Sequence, residues 1–227
     1  LSREKHEAYE IDLSHIPEYA RSAAQKALVK IRNLEKAGKF KAGLYYVVFV
    51  DLVGSAVAST KIGPDENAKR IKNFIKFTTT AWKAISPRNT VLFVREIGDG
   101  VLFIFSNFED ILNWVRKLDE YCKRYNKSRK VAGKPAVYKL SFKRVVHLGE
   151  VHYLDSKSPI ALAVNQLFSI EKKISGEVFV VTDPVREVIL ANINSGQLSA
   201  RMAMKVRFPG HKSRRPLWLI SIESLKS

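Results

Sequence analysis

The chain has 227 residues, 46% of them hydrophobic, which suits one large packed unit better than two. Its 39 basic and 22 acidic side chains give a net charge of +17, so polyanions such as nucleoside triphosphates, nucleic acids or anionic surfaces are favoured over cationic ligands. The longest apolar run, Leu44 to Val50, ends at Asp51 and is far short of the roughly 20 residues of a membrane-spanning helix; the mixed charges of the opening residues do not resemble a secretory signal, and the chain reads as cytoplasmic.

Apolar positions at Ile16, Ala20, Ala23, Ala24, Ala27, Leu28, Ile31 and Leu34 recur at helical spacing, so residues 1–43 are expected to form an amphipathic helix and linker ahead of a catalytic unit over residues 44–227. Leu44 to Leu52 is a dense β-branched and aromatic run, the pattern of a central strand covered on both faces. After the turn signal Gly63-Pro64-Asp65, the series Ile71, Phe74, Ile75, Thr78, Trp82 and Ile85 predicts a helix that stops before Pro87. Two strands follow, Val91 to Ile97 and Val101 to Phe105, joined at Gly98-Asp99-Gly100 in a tight hairpin.

Ile111 to Tyr125 predicts a further helix that carries the single cysteine, Cys122, as a packing residue, and residues 126–135 read as a basic loop. Tyr138 to His147 alternates as a strand, Leu148-Gly149-Glu150 reads as a turn, and Val151 to Leu154 continues the sheet. Ala161 to Ile174 is predicted helical, Glu177 to Val181 a strand, and Pro184 to Asn192 a helix N-capped by Asp183. Arg201 to Phe208 and Leu217 to Ile222 close the chain as strands around a loop over residues 209–216. The order β-α-β-β-α-β with appended elements predicts an α/β sandwich of the α+β type, a mixed and mainly antiparallel sheet with helices largely on one face.

Asp51 interrupts an apolar strand just before Gly54 and Ser55, where a carboxylate emerges at a sheet edge beside open backbone, and Asp99 stands at the hairpin tip between two glycines. If the hairpin lies beside the first strand, the two carboxylates meet. Hard oxygen ligands of this kind suit Mg2+ or Mn2+, which keep several waters and bridge substrate phosphates. His6, His15, His147, His152 and His211 lack metal-ligand spacing, and the basic residues are spread over Arg21 to Lys41, Lys69 to Lys83, Arg116 to Lys143 and Lys205 to Arg215 without forming one nucleic-acid stripe.

These residues resemble the class III nucleotidyl cyclases, whose first strand ends in Phe-x-Asp-hydrophobic-x-Gly and whose hairpin carries Gly-Asp-Gly or Gly-Asp-Ala. The matching segments are Phe49-Val50-Asp51-Leu52-Val53-Gly54 and Ile97-Gly98-Asp99-Gly100. His147-Leu148-Gly149-Glu150-Val151 is similar to the family's His-x-Gly-x-Val strand, and Val164-Asn165 to its Val-Asn helix start. The resemblance implies a ferredoxin-like βαββαβ core and a homodimer with sites at the interface. It further implies two metal ions per site on Asp51, the Leu52 carbonyl and Asp99, a ribose-orienting Asn165, and a triphosphate held by Val53, Gly54, Ser55 and Lys212. The implied activity is that of a lyase that forms a 3′,5′-cyclic nucleotide and pyrophosphate.

Two departures bear on the substrate and the rate. Arg95 and Ser158 stand where the family selects its purine, and neither the adenine nor the guanine pair is present. An arginine at position 95 offers only donors, which fits a carbonyl-rich edge such as that of uracil. Ser169 stands where the family carries its transition-state arginine, and the expected outcomes are a substitute in Lys172, Lys173 or a basic residue of the loop near Lys212, or slow catalysis. With Val50 to Ser55, these features resemble the bacterial pyrimidine cyclases of Pycsar antiphage defence, which implies UTP as substrate, cyclic UMP as product and a separate cyclic-nucleotide-activated effector. The alternatives are cytidylate, adenylate or guanylate cyclases, or an inactive pseudo-cyclase or basic nucleic-acid-binding module; the short apolar runs and the scattered basic residues lead to the expectation of no membrane and no stable nucleic-acid partner.

Overall fold

A computed structural model describes residues 43–85, 91–153, 159–160, 162–192, 198–208 and 212–222; the expected N-terminal helix lies outside them. Seven strands form one sheet in the order β2-β3-β1-β4-β6-β8-β7. They are β1 (Gly43–Leu52), β2 (Val91–Ile97), β3 (Gly100–Phe105), β4 (Phe142–Tyr153), β6 (Phe179–Thr182), β7 (Leu198–Arg207) and β8 (Arg214–Ile222), and a two-residue β5 (Pro159–Ile160) pairs with the far end of β4. The β4–β6 pair is parallel and the others are antiparallel, so the sheet is mixed and mainly antiparallel as expected. The helices are α1 (Ser55–Ile62), α2 (Pro64–Ile85), α3 (Phe108–Val131), α4 (Leu162–Glu171) and α5 (Asp183–Asn192).

Strand alternation splits the core in two. Tyr46, Val48, Val50 and Leu52 of β1 join Phe103, Phe105, Phe74 and Trp114 under α2 and α3, and Val185 and Ile189 of α5 extend that layer. Val47 and Phe49 point the other way, into a smaller cluster with Leu102, Ile104, Leu167 and Ile170 beneath α4. Every residue from Val47 to Val50 is therefore buried, which is why β1 reads as a continuous apolar run. The Trp114 indole donates to the Thr78 carbonyl at 3.0 Å, fixing α3 to α2.

Several expected boundaries are corrected. The segment 126–135 is helical as far as Val131, because its cations decorate the outer face of α3 while Asn126 turns inward to Leu140, donating to its carbonyl at 3.0 Å and accepting from its amide at 2.8 Å. Leu148-Gly149-Glu150 is no turn: β4 runs through it, and Gly149 serves close packing, since a Cβ there would lie 2.8 Å from the Ala163 Cβ. β4 begins at Phe142 after a single 3-10 turn over Ala136–Tyr138, and β8 begins at Arg214, ahead of the expected Leu217. Asp183 is the first residue of α5 rather than a cap before it, and its carboxylate accepts from the Trp218 indole at 2.8 Å. The short helix α1 was not anticipated. Cys122 is buried and its thiol is pushed up to about 12, chiefly by burial, in keeping with packing.

Candidate active site

The first carboxylate is positioned by β1. Asp51 shares the α4-side face with Val47 and Phe49, and it lies one residue from the strand end, opposite Gly100 of β3 and Lys143 of β4. The hairpin supplies the second. Ile97 pairs with Gly100, leaving Gly98 and Asp99 as the two-residue tip, with Gly98 at φ 63. Gly100 is required for a different reason: a Cβ there would come within 2.8 Å of the Val50 carbonyl oxygen, so only glycine lets the hairpin lie this close to β1. Asp99 is near enough for its charge to act on Asp51.

That influence is visible in the Asp51 carboxyl, which is raised to about 6. Burial is the largest cause, a hydrogen bond from Lys143 opposes it, and the charges of Asp99 and Glu171 add to it. Lys143 Nζ lies 3.1 Å from Asp51 Oδ2 and also pairs with Glu171 at the end of α4. The three side chains are only 16%, 16% and 14% exposed for Asp51, Lys143 and Glu171, so solvent screens them poorly. Burial by itself pushes the Lys143 ammonium down, but its hydrogen bonds to Glu171 and Asp51 and their charges outweigh burial and hold it above the usual lysine value.

The loop after Asp51 is held from three sides. The Val53 amide donates to the Ser141 carbonyl at 2.8 Å, and Arg70, buried in α2, donates to the Val53 carbonyl at 2.9 Å and to the Lys139 carbonyl at 3.0 Å. Asn67 donates to the Ser55 carbonyl at 2.9 Å, and the Ser55 hydroxyl donates to the Leu52 carbonyl at 3.3 Å. With the Val53 amide committed to Ser141, Gly54 and Ser55 open α1, and Gly54 adopts φ 76.

The remaining expected residues are distributed around this centre. Arg95 is exposed on β2 opposite Leu102, which in turn faces Phe49, so Arg95 shares the face of Asp51 one step back from the hairpin tip. Asn165 is exposed on α4, and Ser169 donates its hydroxyl to the Gln166 carbonyl of the same helix at 2.8 Å. Lys212 stands exposed in the connection between β7 and β8, with β4 and β6 separating that hairpin from β1. His147 is more than packing: its ring nitrogens lie 3.0 Å from Thr182 Oγ1 and 2.9 Å from Gln166 Oε1.

Sequence reading missed Lys143, Glu171, Arg70 and Asn67. A signal existed for Arg70, which falls at helical spacing with Phe74 and Thr78 on the inward face of α2. None existed for Lys143 and Glu171, whose meeting depends on the β1–β4 register and on where α4 ends.

Solved structures superpose on this chain over most of its length. The adenylyl cyclase CyaB from P. aeruginosa superposes with a TM-score of 0.62 at 13% identity, covering 82% of this chain and 97% of that one. The guanylyl cyclase Cya2 gives 0.61 at 17% identity over 82% and 95% of the two chains. The catalytic core of a rhodopsin-guanylyl cyclase with converted specificity, in complex with ATPalphaS, gives 0.61 at 16% over 81% and 98%. The fold is that of a class III cyclase catalytic domain. No family model matches the sequence, and no curated protein matches it either. No helix among the described residues is long and apolar enough to cross a membrane.

Among the described residues no group of three or more His, Cys, Asp or Glu side chains forms a closed metal cage. Two carboxylates brought to the same end of the sheet still fit Mg2+ or Mn2+, because these ions commonly complete their shells with water and substrate phosphate oxygens. Asp51, which already takes a cationic partner in Lys143, is the natural anchor.

Proposed function

We propose that this chain is a nucleotidyl cyclase that converts UTP to 3′,5′-cyclic UMP and pyrophosphate. The observation that carries the reading is the register that sets the residue after Asp99 opposite Asp51, with the Asp99 charge acting on the Asp51 carboxyl, in a fold shared with adenylyl and guanylyl cyclases. Asp51, the Leu52 carbonyl and Asp99 would hold two Mg2+ or Mn2+ ions, which would lower the pKa of the ribose 3′-hydroxyl and neutralise the charge of the leaving pyrophosphate. The 3′-oxygen bonds to the α-phosphorus, the bond to the α,β-bridging oxygen breaks, pyrophosphate departs, and the hydroxyl proton passes to solvent.

The protein's own groups do the positioning. The amides of Gly54 and Ser55 cradle phosphate at the start of α1. Arg95 donates to the carbonyl edge of the base, and Asn165 orients the ribose. Lys212, separated from β1 by intervening strands, reaches a triphosphate from the second copy of a homodimer. With the Ser169 hydroxyl turned onto its own helix, transition-state charge is left to basic groups such as Lys172 and Lys173, exposed just beyond α4. The motif Val50 to Ser55 supports the Pycsar branch, in which cyclic UMP signals to a separate effector protein in antiphage defence.

Incubation with each of the four ribonucleoside triphosphates and Mn2+, with products resolved chromatographically, tests the substrate. UTP is expected to turn over best, and Arg95→Ala is expected to lower the preference about tenfold, the order of one well-made polar contact to the base. Preferred turnover of ATP or GTP sinks the choice of base, and an unaltered preference in Arg95→Ala removes that residue's role.

A further inference from the structure

Lys143 sits between two carboxylates that call for opposite outcomes. It pairs with Asp51, directly across from it on the neighbouring strand, and with Glu171 at the last position of α4. A divalent cation at Asp51 meets this ammonium as a competitor, because both positive charges seek the same oxygen atoms and repel each other.

Glu171 is placed at a cost to its own helix. A carboxylate in the last turn faces the negative end of the helix dipole, and that turn of α4 carries no basic residue to offset it. The Lys143 contact compensates, and it ties the end of the helix bearing Asn165 to the strand beside Asp51. Glu171 therefore gives the ammonium a second resting place within the same poorly screened pocket.

We infer that Glu171 is a positioning residue for the Asp51 metal site, drawing the Lys143 ammonium off Asp51 so that a divalent cation can take the carboxylate. This rests on the metal reading given above. Glu171 acts through Lys143, and it needs no contact with the ion.

The test is Mn2+ binding to the full chain, followed by electron paramagnetic resonance at pH 8 without nucleotide, in a cycle of Glu171→Gln, Lys143→Met and the double variant. Lys143→Met is expected to tighten Mn2+ about tenfold and Glu171→Gln to weaken it about tenfold, while Glu171→Asp restores most of the loss. In the Lys143→Met background, Glu171→Gln is expected to change affinity by less than about twofold. Equal weakening in both backgrounds overturns the inference, because Glu171 then acts as a plain negative charge, and so does the absence of any effect in either. Asp51→Asn separates the two levels of argument: Mn2+ affinity indifferent to that substitution sinks the metal reading itself. Melting temperatures of all variants, measured in chelator, show that each is folded.

Discussion

The two faces of this sheet are built from alternate residues of the same strands, yet they differ in kind. Under α2 and α3 aromatic contacts dominate, with the Trp114 ring 4.8 Å from Phe103 and 5.9 Å from Phe105, and the charged groups Arg144, paired with Asp119, and Arg70 lie toward the margin of that layer. Under α4 the apolar cluster is interrupted by polar groups, His147 held between Thr182 and Gln166, and Lys143 between Asp51 and Glu171. One face is built mainly of rings packed on rings, and the other mixes apolar contacts with polar pairs. A charged strand residue is tolerable because its neighbours across the sheet are packed from the opposite side.

The comparison breaks most visibly at Trp114. Trp114→Ala removes a fully buried ring and its hydrogen bond to Thr78, and is expected to cost about 4 kcal/mol in chemical denaturation. A loss under ~1 kcal/mol would mean that the aromatic layer does not hold the fold. On the other face, Gln166 Oε1 can only accept, so with that amide orientation His147 Nε2 carries a proton, and in the neutral ring Nδ1 accepts from Thr182. His147→Ala strands both partners and is expected to cost about 2 kcal/mol. A loss equal to that of Trp114→Ala would erase the contrast between the faces.

Asp51 sharpens the comparison with the opposite sign. Its carboxyl stands at about 6 in the folded chain, mainly through burial, above the ordinary aspartate value of 3.8. The folded state thus binds the proton more tightly, and stability falls as pH rises from about 4 to about 6 and stays lower beyond. Asp51→Asn is therefore expected to stabilise the metal-free protein by about 1 kcal/mol at pH 7.5, a figure set below the full shift because of residual solvent access, and to give no gain at pH 3.5. Thermal melts in chelator at the two pH values measure it. Destabilisation at pH 7.5 would show that the contact with Lys143 outweighs the burial of the charge.

The apolar face was the legible one. The alternate residues Tyr46, Val48, Val50 and Leu52 and the helical series from Ile71 to Ile85 face that layer, and β1 and α2 lie close to where the sequence patterns put them. Asp51 and Asp99 stand out in the sequence because each breaks a local pattern. Gly149 misled because its reason is the approach of Ala163 on a distant helix, and the helix α1 escaped notice because Ser55–Ile62 mixes small, polar and apolar residues without a clear stripe. Lys143 and Glu171 were unreadable for the same reason as Gly149: nothing nearby in sequence marks them, and only the β1–β4 register brings them to Asp51.

Product formation from UTP and Mn2+ by the wild type, Asp51→Asn and Asp99→Ala, each at matched folded concentration, tests the central claim most directly. The account predicts cyclic nucleotide and pyrophosphate in equal amounts from the wild type, and a loss of roughly a thousandfold or more in each variant with the fold retained. Cyclic product at wild-type rate from either variant, or none from the wild type with any of the four triphosphates, would contradict it.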